Sequence, residues 1–410
     1  MDIPPTTSSG TKPIVAYIAS QELAKVSSLL PSNKRRSMMV HSLVSSMGLM
    51  STEFSSTKRI QIINPTRATY KELALYHDRD YLDFVLDPVN SSNLGGDGGF
   101  GLEDDCPPFP QLHDYVPLVA GATLTAANVL VKNISDVAIS WDGGRHHAQK
   151  SHAAGFCYVA DCILAIMALK RSPPILSSLG DITTVQRKPK IMYLDLDLHF
   201  SDAVSEAFSF QNQSGTPQIL TMSIHHTAPG FFPISPFSQL PDISNTSFDP
   251  FTLALPLMQG ASDGTFSRIW SIVENVKDAF EPDYIIIQCG VDSLAGDPCA
   301  IFNWSLHSLG WCINRVLNQW QGKKLLLGGG GYNSPNVARA WTYLTSIALN
   351  NPLNLEAEIP DHSGFPLYEP SFTLDVPAGN MQDQNTEAYL QSVESCFENI
   401  IELIKKRLNA

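Results

Sequence analysis

Ile191-Met192-Tyr193-Leu194-Asp195-Leu196-Asp197-Leu198-His199 is an unbroken apolar run that ends in an alternation of acid, leucine and histidine. A strand reverses its side chains with a period of two, so Asp195, Asp197 and His199 share one direction. The apolar residues ahead of them need cover on both faces, as in a strand inside a parallel sheet. Two carboxylates and an imidazole converging at a strand end begin a divalent-metal site. The alternative is a strand whose polar face meets water. The rest of the chain argues against that: it holds a tandem histidine, His146-His147, a further strand-end carboxylate, Asp292, and a tyrosine, Tyr332, after four glycines.

Working outward, the same kind of apolar run recurs. Ile14 to Ile18, Val137 to Trp141, Ile219 to Ser223, Tyr284 to Ile287 and Leu325 to Leu327 read as buried strands. Between them, Ser267 to Phe280 places Ile269, Ile272, Val273, Val276 and Phe280 at helical spacing, and Pro282 ends that helix. Val116 to Leu130 and Cys157 to Leu169 also read as helices. Thr386 to Leu408 reads as an amphipathic helix with Thr386 as N-cap and Lys405, Lys406 and Arg407 at its C-terminal end. Repeated strand–helix units predict one α/β domain over residues 13–410, a mostly parallel central sheet flanked by helices on both faces. Residues 1–12, rich in Pro, Ser and Thr, read as a disordered lead-in. Ser91 to Gly101, Arg171 to Lys190 and Gln211 to Gln218 read as surface loops.

Composition narrows the function classes. The 410 residues are 43% hydrophobic and 16% charged, enough for a sizeable core. By this reading no apolar stretch approaches the ~20 residues that span a bilayer, and no membrane role is expected. A net charge of −13 argues against direct nucleic-acid binding and favours cationic partners. Seven dispersed cysteines without a CxxC pair fit a reducing compartment.

The candidate chemical groups all follow predicted strands, where loops of a parallel sheet converge on ligands. Asp292, with Asp197 and His199, offers two oxygens and one nitrogen and leaves a coordination position open, as a catalytic metal requires. Its alternative role is a helix N-cap in the turn Gly290 to Gly296. His146 and His147 lie in Trp141-Asp142-Gly143-Gly144-Arg145-His146-His147; neighbouring histidines can serve one ligand only from an irregular loop, which the glycines permit. They suit an acid/base pair near pH 7, with Asp195 and Asp202 as the carboxylates that orient them; spacing alone does not say which serves which. Gly328 to Gly331 allow close backbone approach, and no Lys-Ser/Thr follows, so this is no phosphate-binding P-loop. Tyr332 could stabilise an oxyanion.

With these residues together the chain resembles the class I zinc-dependent histone deacetylases of the arginase/deacetylase fold, nearest to the histone deacetylase 8-like branch. The resemblance runs from about Ile14 to the last helix. It is dense in Gly155-Phe156-Cys157-Tyr158, Asp195 to His199, Pro229 to Pro233, Gly290 to Pro298, Gly328 to Asn333, Ala340 to Thr345 and Glu358 to His362. It implies Asp197, His199 and Asp292 as ligands of Zn2+, with Fe2+ as the alternative, and a structural K+ near Asp195, Asp197, His199, Ser223 and Ile224. It implies His147 as general acid/base and His146 as its electrostatic partner, with Asp195 behind His146, Asp202 behind His147, and Tyr332 polarising the acetyl carbonyl. Phe156 and Phe232 would wall an acyl-lysine tunnel with Gly155 on its floor. Asp105 and Cys299 would lie at its rim, and Arg36 would line an internal channel.

The implied reaction is hydrolysis of N6-acetyl-lysine in histones or other proteins to lysine and acetate. The implied setting is that of a chromatin regulator and transcriptional repressor in the nucleus, with a cytoplasmic pool allowed. An end soon after the core leans toward action without a corepressor scaffold. A two-manganese ureohydrolase is disfavoured because no second Asp stands two residues after Asp292. An acetylpolyamine-type deacetylase and a silent acyl-lysine-binding scaffold are the remaining rivals. The chain also departs from the family. Phe200-Ser201 and Ala203 surround Asp202 where a glycine-containing loop is usual, which should stiffen it. Arg145 replaces a bulky neutral residue and would depress the imidazoles unless turned to solvent. Ser151-His152 replaces a more acidic pair, and Cys299 stands where Leu or Met is usual.

Overall fold

The computed structural model describes residues 12–92, 99–179, 183–209 and 217–409. Most of the expected lead-in and the glycine cluster Gly95 to Gly98 lie outside the described residues, as do residues 211–216 of the third expected loop.

In chain order the first half is β1 Ile14–Ile18, α1 Gln21–Ser27, α2 Arg36–Ser46, β2 Arg59–Ile63, α3 Tyr70–Leu73, α4 Arg79–Val85, α5 Leu112–Val131, β3 Val137–Ser140 and α6 Asp161–Lys170. A hairpin of β4 Ile175–Leu179 and β5 Thr183–Arg187 follows, then β6 Ile191–Asp195, α7 Asp202–Phe208, β7 Ile219–His226 and β8 Thr252–Leu257. The chain closes with α8 Asp263–Phe280, β9 Tyr284–Gln288, α9 Leu306–Gln319, β10 Lys323–Leu327, α10 Ser334–Ala348 and α11 Glu387–Leu408.

Eight strands form one parallel sheet in the order β2-β1-β3-β10-β9-β6-β7-β8. Period two divides each apolar strand between two cores. Met192, Leu194, Ile285, Ile287 and Leu326 pack under α2 and α8 to α11. Ile191, Tyr193, Ile286, Leu325 and Leu327 pack under α1 and α4 to α7. Cover on both faces explains why these strands are apolar throughout. It also fixes their register, since a one-residue slip would exchange the two cores.

Several boundaries differ from expectation. Arg171 to Lys190 is no plain loop, because it contains the β4–β5 antiparallel hairpin. The helix expected from Cys157 begins only at Asp161. Strands β2 and β8 lack the continuous apolar signature: β2, Arg59-Ile60-Gln61-Ile62-Ile63, at one edge mixes polar and half-exposed residues, while β8 at the other edge is buried from Leu253 to Leu257 but carries Pro256 within it. Helix α5 corrects the membrane reading: its 20 residues are long and apolar enough to span a bilayer, yet 72% of its most apolar window is buried in the domain. Such a helix is apolar all round because protein surrounds it. At the C-terminus Thr386 does cap α11, accepting from Tyr389 N.

What matters for function is the middle of the sheet. Strands β3, β10, β9 and β6 are consecutive neighbours. The segments leaving their carboxyl ends carry His146-His147, Tyr332, Asp292 and Asp195 to His199 respectively. Residues up to 186 positions apart in the chain therefore meet across about three strand spacings, roughly 15 Å.

Candidate active site

Strand β6 delivers Asp195 at its last position, and Leu196 to Phe200 continue as irregular backbone. His199 Nδ1 lies 2.9 Å from Asp292 Oδ2 and 3.3 Å from Asp197 Oδ1. Asp292 does not cap a helix: its Oδ1 accepts from Leu198 N at 3.0 Å, which ties the β9 loop to the β6 loop. Asp197 Oδ2 accepts from Gln288 Nε2 and from Gly330 N, both at 2.8 Å. Gly330 explains part of the glycine run, because a Cβ there would overlap carboxylate oxygens of both Asp292 and Asp197. One nitrogen and two buried carboxylates thus converge in a cradle that only a bare backbone can close. The donor set fits a divalent cation.

The tandem histidines sit in irregular loop, with ring centroids 3.9 Å apart. His146 Nδ1 meets Asp195 Oδ2 at 2.8 Å and His147 Nδ1 meets Asp202 Oδ1 at 2.7 Å, which settles the pairing that spacing left open. Burial favours the neutral form of both rings, but the two divide. The Asp195 and Asp197 charges raise His146 to about 9, whereas His147 is held below its ordinary range by burial and by the charge on His146. Burial, then the Asp292 and Asp197 carboxylates, hold the Tyr332 phenol protonated, well above its ordinary range. Burial and the neighbouring Asp197 push Asp292 up to about 7 when no cation is present.

Aromatic rings frame the approach. Phe232 lies edge-on to His147 at 4.9 Å and Phe156 to Tyr332 at 5.6 Å, and Phe231 stacks on His199 at 5.2 Å. Gly155, at φ +54, presses on the His147 ring so closely that a Cβ would collide with it. Asp105 turns inward and accepts from Gly155 N at 2.8 Å. Cys299 is half-buried, and its sulfur, a His199 ring nitrogen and an Asp292 oxygen lie within 4.8 Å of one another. Asp195 and Ser223 are register partners on β6 and β7.

Two departures resolve in unexpected ways. Asp202 opens α7 and still reaches His147, while Phe200 packs inward against His225 with centroids 4.7 Å apart. Arg145 is not turned to solvent, being only 4% exposed. Its Nη2 donates to Asp142 O at 3.1 Å, in a buried group with Arg36 and His41 beneath the glycine loop. Arg36 is there too, donating to Gly331 O at 2.8 Å.

Residues without a motif complete the site. Asp161 accepts from Gly144 N, Arg145 N and Thr123 Oγ1 and so holds the histidine loop. Asp297 accepts from Tyr332 N at 2.7 Å and from Cys299 N at 3.0 Å. Gln288 bridges Asp197 and Gly144 O. Tyr193 OH donates to Asp195 Oδ2. The signal for Gln288 was one amide closing an apolar strand; the others had none. A surface cleft of about 760 Å3, lined by Asn133, Asp283, Tyr284 and Lys323, opens at the amino ends of β9 and β10, the wrong end of the sheet for a ligand site.

Comparison with known proteins agrees with this geometry. The histone deacetylase domain model matches residues 30–348. Histone deacetylase 8 of Xenopus tropicalis is 35% identical over 394 residues, covering 94% of this chain and 98% of that protein. Histone deacetylase 8 of Danio rerio is 35% identical over 392 residues, 94% of each chain. Histone deacetylase 9 of Arabidopsis thaliana is 32% identical over 375 residues, covering 90% of this chain and 80% of that one. The single parallel-sheet domain, its convergent strand ends and these matches place the chain in the histone deacetylase family of hydrolases.

Proposed function

We propose that the protein is a zinc-dependent lysine deacetylase that hydrolyses N6-acetyl-lysine in histones or other proteins to lysine and acetate. The observation that supports it most is the set of paired contacts His146–Asp195 and His147–Asp202 beside the converging Asp197, His199 and Asp292. An amide is a weak electrophile with a poor leaving group, so the site must stabilise an oxyanion and deliver a proton. A divalent cation held by Asp197, His199 and Asp292 would polarise the acyl carbonyl and lower the pKa of water there.

The chain's own groups do the rest. His147, kept neutral, takes a proton from water at Nε2, its Nδ1 being engaged by Asp202, and returns it to the departing amine. His146, charged between Asp195 and Asp197, offsets negative charge that develops nearby. Tyr332, kept protonated, donates its hydroxyl hydrogen to the carbonyl oxygen as charge builds on it. Phe156 and Phe232 enclose the aliphatic lysine stem, with Gly155 leaving room beside His147. Asp105 orients the wall through Gly155 and, at the rim, the substrate backbone. A structural potassium ion beside Asp195 and Ser223, and action on acetylated proteins in the nucleus, belong to the same reading.

An acetyl-lysine peptide assay tests it. Activity should vanish on chelation, return with zinc and be blocked by a hydroxamate. Turnover indifferent to chelator, or protein that never takes up metal, would sink the proposal. Tyr332→Phe separates enzyme from scaffold, because a scaffold would keep its partners and have no turnover to lose.

A further inference from the structure

Cys299 stands apart from the other cysteines. Cys106, Cys157, Cys162, Cys289 and Cys312 are buried among apolar side chains, and Cys396 on α11 donates to Pro241 O. Among the described residues, Cys299 is the one cysteine grouped with an imidazole and a carboxylate, namely His199 and Asp292, their ligand atoms within 4.8 Å of one another. Those two groups also form, with Asp197, the triangle proposed above to hold the cation. His199 and Asp292 belong to both groups.

The sulfur is there by construction. Cys299 N donates to Asp297 Oδ1, and the other oxygen of Asp297 holds Tyr332 N, so one carboxylate locks the cysteine loop to the tyrosine loop. The next residue, Ala300, takes a left-handed φ of +50, a turn uncommon for a residue with a Cβ. Three protein ligands leave a position open on a four-coordinate cation, and a thiolate is a preferred ligand of zinc and its borderline neighbours.

We propose that Cys299 is a fourth, displaceable ligand of the cation in the resting protein. This rests on the metal-site reading above and adds to it. The thiol would give its proton to solvent as the sulfur binds, and when an incoming acyl carbonyl or hydroxamate takes the sulfur's place the released thiolate would take a proton back. The consequence is a centre biased toward thiolate-accepting ions and a substrate that must compete with a built-in ligand.

Cobalt(II) reconstitution of the whole chain reads this directly. The expected wild-type spectrum has a near-ultraviolet sulfur-to-cobalt charge-transfer band beside the visible ligand-field bands. Cys299→Ser and Cys299→Leu should lose the charge-transfer band while keeping cobalt, and a hydroxamate should remove the band from wild type. Identical near-ultraviolet spectra in wild type and both variants would overturn the inference while leaving the metal site standing. A band that survives hydroxamate would make Cys299 a permanent ligand and overturn its displacement. Failure of wild type and variants alike to take up cobalt would overturn the metal reading itself.

Discussion

The loop Asp142 to His147 borders two buried polar clusters with different charge balance. On one side Asp195, Asp197, Asp202 and Asp292 face His146, His147 and His199, so carboxylates outnumber imidazoles. On the other, Arg36 and Arg145 share the neighbourhood of two buried carboxylates, Asp142, which also bonds His41 at 3.0 Å, and Asp161, so the charges there are balanced. Burying charge is expensive wherever it is unbalanced, so the acidic surplus marks a place where the fold has given up stability for something else. In the acidic cluster the surplus is what a dication would offset. The guanidinium cluster shows that like charges can be tolerated: burial and then the neighbouring Arg145 charge lower Arg36 to about 10, and stacking over Trp341 at 5.0 Å gives it a second partner.

The largest effect should come from the acidic side. His147→Ala is expected to lower kcat by about 10^2 to 10^4, the usual range for a lost general acid/base. Wild-type kcat in that variant would show that the paired histidines are structural.

Acid stability sharpens the contrast between imidazoles that need charge and those that must stay neutral. His77 accepts from Ala160 N and lies against Lys150 O, while His225 meets Ser238 O; burial lowers both to about 4. Their folded values lie below the unfolded 6.5, so their contribution is intact above pH 6.5 and is lost as pH falls toward 4. The loss is on the order of 3 kcal/mol for each. His146 and His199, raised to about 9 and about 10 in the metal-free chain, act in the other window, their contribution being lost as pH rises above 6.5. Urea midpoints should fall between pH 7 and 4.5, and His77→Gln should flatten that slope. A midpoint independent of pH would contradict neutral burial.

Gly330→Ala tests the cradle. A methyl group against Asp197 and Asp292 should weaken metal binding about 10- to 100-fold, the scale of a disturbed ligand support, with the far-ultraviolet spectrum unchanged. Unchanged metal affinity would show that the backbone is not needed there.

The smallest effects distinguish the two arginines. Arg36→Leu removes a charged hydrogen bond to Gly331 O and the Trp341 contact and should destabilise by about 1.5–3 kcal/mol. Arg145→Leu loses one bond to Asp142 O and the attraction of Asp161 and Asp142, but its Nε has no partner and its loss relieves repulsion on Arg36, so it should cost less. Equal denaturation midpoints for the two variants would erase the distinction.

The central strands and the groups at their ends were legible because apolar runs covered on both faces leave no other pattern, and because Asp195-Leu196-Asp197-Leu198-His199 obeys period two. Edge strand β2 and the β4–β5 hairpin were not, since polar residues dilute the signal, and in edge strand β8 Pro256 interrupts it. Nor could Asp161 or Asp297 be found, and Gln288 showed only as one amide closing an apolar strand. Each is an ordinary polar residue whose partners, Gly144, Asp197 and Tyr332, lie in segments that follow other strands.

By itself the sequence determined the parallel α/β class, the family and the identity of the groups at the strand ends, because these follow from local periodicity and from motifs within a few residues. Only the tertiary structure decided which aspartate serves which histidine, that Arg145 points inward and that Cys299 comes beside His199 and Asp292. Those outcomes depend on the order β3-β10-β9-β6 and on backbone close enough to leave no room for a Cβ, and neither is encoded in neighbouring residues.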